Sequence, residues 1–71
     1  MLEKKQQFVC SVNGTKEVSI ENYGSLGDFS DKKIVLNCNK CKMVIEGENL
    51  LIEYFTDVDM KIRGHIHAIY F

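Results

Sequence analysis

The feature that most constrains this chain is a phrase that occurs twice. Met43-Val44-Ile45-Glu46-Gly47 returns seventeen residues later as Met60-Lys61-Ile62-Arg63-Gly64. Each copy runs on through apolar residues to an aromatic pair, Tyr54-Phe55 and then Tyr70-Phe71. Successive side chains of a strand point to opposite faces, so period-two patterning marks a strand with one buried side. At that period Val58, Met60, Ile62, Gly64, Ile66, Ala68 and Tyr70 fall on one face. Asp59, Lys61, Arg63, His65 and His67 fall on the other. The phase carries through Gly64, which therefore bends a strand rather than ending it. The first copy breaks at Gly47-Glu48-Asn49 and resumes with Leu50, Ile52 and Tyr54.

The rest of the chain adds shorter strands of the same kind. Phe8 to Val12 alternates and runs into Asn13-Gly14, the dipeptide that best signals a two-residue hairpin. Lys16 to Tyr23 returns, with Val18 and Ile20 on one side, and Asn22 to Ser25 makes a turn. A short strand is expected near Leu26 and Phe29, followed by a turn at Asp31-Lys32. Lys33 to Cys38 is a strand with Ile34, Leu36 and Cys38 inward, and Asn39-Lys40 turns it back into Lys42 to Glu46. No stretch holds a helical period for more than a turn. The expected fold is all-β: a small antiparallel meander of seven to eight short strands, forming a sandwich or a partly open barrel.

Residues 1–71 make one domain, with 1–7 read as a flexible tail. A chain this short buries only about 60% of its unfolded surface, so a partner or cross-link is commonly required. Six apolar residues fall opposite the presumed core: Val35, Val44, Leu51, Phe55, Ile69 and Phe71. They are the candidate interaction face, because the wet side of a sheet should be mainly polar. Gly14, Gly47 and Gly64 are the glycines expected to serve the backbone.

Nine basic and ten acidic residues are interspersed, with a formal charge of −1, which gives no field for nucleic acid. No apolar run approaches the roughly 20 residues of a membrane span, and no signal-peptide pattern is present, so a cytoplasmic location is expected. Three cysteines, an odd number, fit a reducing compartment better than a disulfide framework. Cys38-Asn39-Lys40-Cys41 and His65-Ile66-His67 could together supply four ligands to a metal such as zinc. A structural zinc site usually shows two paired motifs and only one stands here, so no metal or cofactor is expected. Buried cysteine also serves as a small hydrophobe. No serine has a base beside it, the carboxylates flank turns, and Gly24-Ser25-Leu26-Gly27 fits no phosphate-binding loop. The expectation is a protein that is not an enzyme, with a small metal- or ligand-binding domain as the alternative.

Four stretches carry a resemblance: Val18 to Gly24, Ile34-Val35-Leu36, Met43 to Ile52, and Met60 to Tyr70. In this order, from about residue 18 to the end, they resemble the YabP/YqfC family of sporulation proteins from spore-forming Firmicutes. The best parts are Ile45-x-Gly47-x-x-Leu50 and Ile62-x-Gly64-x-Ile66. These motifs are structural and carry no catalytic residues across. Cys41 stands where the family pattern has glycine, and Tyr23 where it often has histidine. The resemblance implies a structural or adaptor role in endospore formation, as a homo-oligomer working with an integral membrane sporulation protein. It places the protein in the mother cell, in the cytoplasm or peripheral to the forespore membrane.

Overall fold

A computed structural model describes residues 8–38 and 41–71, so the tail expected at 1–7 and the turn expected at Asn39-Lys40 lie outside the described residues. Six strands form one antiparallel sheet: β1 (Val9–Asn13), β2 (Glu17–Glu21), β3 (Ser25–Phe29), β4 (Lys33–Asn37), β5 (Lys42–Phe55) and β6 (Asp59–Tyr70). Their spatial order is β1-β2-β6-β5-β4-β3, and the sheet does not close. Among the described residues no helix is long and apolar enough to cross a membrane. The all-β class is as expected, but there are six strands rather than seven or eight. The first copy of the phrase does not break at Gly47-Glu48-Asn49. It continues as a single 14-residue strand. The order is not a simple meander either, since β6 inserts beside β2.

The repeat in sequence is a repeat in structure. β4 pairs with the start of β5, setting Ile34 opposite Ile45 and Leu36 opposite Met43. β2 pairs with the start of β6, setting Val18 opposite Ile62 and Ile20 opposite Met60. Lys32 O accepts from Gly47 N at 3.0 Å, and Lys16 O accepts from Gly64 N at 3.1 Å. One end of the sheet is thus β3-β4 laid on the first copy, and the other is β1-β2 laid on the second. The largest side chains at under 2% exposure are the eight inward residues of these four pairs.

A flat sheet could not have this connectivity. β2 ends at Glu21, opposite Asp59 beside the β5–β6 turn. β3 begins at Ser25, opposite Asn37, which faces Lys42 at the far end of β5. Along a strand at about 3.3 Å per residue those points lie roughly 45 Å apart. The linker Asn22-Tyr23-Gly24 can reach about 14 Å at most. The sheet must therefore double back so that its ends meet. They do: Tyr23 Oη donates to Thr56 O at 2.6 Å beside the β5–β6 turn, while the next residue, Gly24, packs against the Asn37 carbonyl at the other end. The Phe8 and Phe71 rings meet edge to face, 6.3 Å between centroids. Residues of both ends form a single apolar cluster. Val18 and Leu36, at zero exposure in a one-layer sheet, are covered by this folding over.

The bend is made where β5 and β6 lose register. Asn49, with φ of 55°, is an extra residue opposite Gly64, whose φ is 141°. A Cβ on Gly64 would lie 2.6 Å from Asn49 O and 2.8 Å from Leu50 Cα. Gly47 lacks a positive φ, but its Cβ would strike the His65 carbonyl oxygen. Bulges of this kind let long strands turn a corner from one packed layer into the next. Gly14 has φ of 62° in open space. Its loop is not the expected two-residue turn: Gly14, Thr15 and Lys16 separate the facing pair Asn13 and Glu17. The extra length lets Thr15 O and Lys16 O bond to β6.

Candidate interaction surface

Bulges also decide where the six candidate residues point. His67 is an extra residue between the pairs Gly47–Ile66 and Glu46–Ala68. The inward phase survives Gly64, as expected, and is reversed three residues later. Ile69 is therefore opposite Ile45 and packs against the core, which corrects its assignment to the outer face. Tyr70, expected inward, is opposite Val44 and 52% exposed. Glu53 is a third extra residue, so Phe55 pairs with Met60 on the core side, although at the tip of the ribbon it is 58% exposed.

The remaining four do not form one face either. Val35 and Val44 are opposite each other, half-buried, on the outer side of the first end, with Tyr70 next in that row. Leu51 is opposite Arg63 on the outer side of the other end, and 60% exposed. Phe71 lies past β6 against Phe8. Sequence reasoning missed Tyr54 and Val58, which join Phe55 as exposed apolar groups around the β5–β6 turn. The aromatic pair closing the first copy was their visible signal. Beside the bend a groove of about 320 Å³ runs between Phe29 and Ile34 on one side and Leu50 to Ile52 on the other.

Polar groups on the outer side are paired among themselves. Glu17 takes Lys61 at 3.5 Å and Arg63 at 3.8 Å, and Arg63 also reaches Glu53 at 3.6 Å. Such exposed pairs contribute little to stability. The His65 and His67 rings stand 6.1 Å apart, both exposed. Cys38 and Cys41 are joined in a disulfide, with 5.1 Å between their Cα atoms, and Cys10 is the free thiol. The expectation was a reducing compartment rather than a disulfide framework; this is one local bond, in which a C-x-x-C meets the Cα spacing that a disulfide requires. It also withdraws two thiolates from the four-ligand alternative, since a metal binds thiolate rather than disulfide sulfur. Among the described residues no three His, Cys, Asp or Glu side chains converge as a metal site.

With the geometry in place, the comparison with known families is decisive on one point: the YabP family model matches residues 4–71. The chain belongs to the YabP family. The match extends the resemblance from about residue 18 to essentially the whole chain, so the β1-β2 hairpin belongs to the family's domain too. In this YabP chain the two glycine motifs are the paired bends of β5 and β6. No curated protein and no solved structure matches the chain.

Proposed function

We propose that this YabP-family chain is a non-enzymatic structural or adaptor module of endospore formation, acting by assembly with copies of itself and with an integral membrane sporulation protein. Its place is the mother cell, in the cytoplasm or against the forespore membrane. Family membership supports the sporulation context. The observation that carries the assembly role is the large apolar surface left uncovered by so short a chain. Leu51, Tyr54, Phe55 and Phe71 are each more than half exposed. Of these, Tyr54 and Phe55 lie with exposed Val58 around the β5–β6 turn, and apolar groups gathered at one place on a surface mark interaction sites.

The test is genetic. Deleting the gene in its spore-forming host should lower the yield of heat-resistant spores, and the wild-type gene should restore it. A Tyr54→Ser, Phe55→Ser double variant should accumulate as folded protein yet fail to restore the yield. Normal sporulation by the deletion strain would overturn the role. Full rescue by the double variant would move the interaction away from the ribbon tip.

A further inference from the structure

An open sheet has free edges, and among the described residues this one has four. β1 and β3 are the outer strands. The far part of β5 runs beyond β4, whose pairing ends at Glu46, and the far part of β6 runs beyond β2, whose pairing ends at Arg63. A free edge offers unpaired N–H and C=O groups to other strands, and folded proteins block it with bulges, charges or proline. Three of the four edges carry such a block. β3 loses register across Gly27-Asp28, β5 at the charged Glu53, and β6 at His67. β1 carries none. Its five residues match β2 pair by pair, and Val9-Cys10-Ser11-Val12-Asn13 contains no charge and no proline.

We propose that β1 pairs antiparallel with β1 of a second copy, joining the two sheets across a twofold axis centred on Ser11. The inference rests on the self-association proposed above but names a separate surface for it. The occupant is argued from self-complementarity. An uncharged strand can face itself with no like charges opposed, which would otherwise be destabilising. The faces match as well. Cys10 and Val12 are on the core side, opposite Ile20 and Val18, while Val9, Ser11 and Asn13 are on the outer side. Centring on Ser11 sets Cys10 against Val12 of the second copy and Val9 against Asn13, core side to core side along the whole strand. Val12 shows what is missing from the single chain. It is 52% exposed although its partner Val18 is at 0%, because among the described residues no strand lies beyond β1.

Sedimentation equilibrium of the full chain should show a monomer–dimer equilibrium. Val12→Lys should weaken the dimer by about tenfold or more, since lysine on an edge disfavours pairing. Its circular dichroism and melting temperature should stay close to wild type, because the Val12 side chain is already exposed. In a Cys10→Ser background, Ser11→Cys should give a disulfide-linked dimer under mild oxidation, and Ser25→Cys on the blocked edge β3 should not. A monomer at millimolar concentration would overturn both this pairing and self-association, leaving the sporulation role to the genetic test. A dimer unaffected by Val12→Lys, or equal cross-linking at Ser25, would overturn the β1 edge alone and leave self-association standing.

Discussion

The two ends of the sheet share one plan and are closed in different ways. At the first end β4 runs directly into β5, and Cys38 N donates to Cys41 O at 3.0 Å beside the disulfide joining the same two residues. At the second end the equivalent bond is Asn22 N to Val58 O, between residues that are distant in sequence. One end is a local, cross-linked hairpin; the other is a junction that exists only when the chain has folded back on itself. The same pattern of inward residues and clamped glycines thus results from a low-cost local closure and from a costly long-range one. The first end should therefore be the more resistant to opening, and the second should depend on the bend.

The largest effects should come from the bends, where the two ends are alike. Gly64→Ala adds an unfavourable φ to a backbone overlap, and Gly47→Ala sets a Cβ on the His65 carbonyl. Each should cost about 3 kcal/mol or more in urea unfolding, beyond the usual range for a point change. A loss below about 1 kcal/mol at either would mean that the glycine is not clamped. Next come the paired methionines, Met43 and Met60, both at 1% exposure or less. Met→Ala at each should cost about 2–5 kcal/mol. Equivalent ends require similar losses, and a large gap between the two would break the comparison.

The closures themselves should respond unequally. Cys38→Ser with Cys41→Ser removes a short cross-linked loop and should cost about 2 kcal/mol by loop entropy. Tyr23→Phe removes the hydroxyl that bonds to Thr56 O and should cost about 1 kcal/mol. Native-state hydrogen exchange should show β1-β2 amides less protected than β4-β5 amides at equal solvent access. Reversed protection would contradict the unequal closure.

The smallest effect concerns pH. Burial raises the Cys10 thiol above its ordinary value, so the folded state holds this proton longer than the unfolded state does. The contribution is full below the unfolded thiol's pKa and is lost as pH rises through the folded one. Unfolding free energy measured against pH should fall slightly in that alkaline window, and Cys10→Ala should flatten the slope.

Much of this comparison could be read from the residues. The repeated phrase located both long strands, and period two named the inward face for six of the eight deepest side chains: Val18, Ile20, Ile34, Leu36, Met60 and Ile62. The errors have a common physical origin. A bulge adds one residue without any side-chain signature, so His67 and Glu53 looked like ordinary members of an alternating strand. Each reversed the pointing of what followed, which moved Ile69 inward and Tyr70 outward. Strand order was equally hidden, because β2 meets β6 through backbone groups that every residue has. Asn22 and Asn49, with φ of 61° and 55°, did carry a signal. Asparagine tolerates the left-handed region better than most residues. Asn22 was read as a turn, and Asn49 as a break rather than a bulge.

The central claim is that the sheet is folded double, so that its far ends touch. The most direct measurement is a nuclear Overhauser spectrum with assigned aromatic and methyl signals. The account expects cross-peaks between the Phe8 and Phe71 rings, which come from opposite ends of the β5–β6 ribbon. Their absence, with intact cross-peaks along every strand pair, would describe an extended sheet and contradict it.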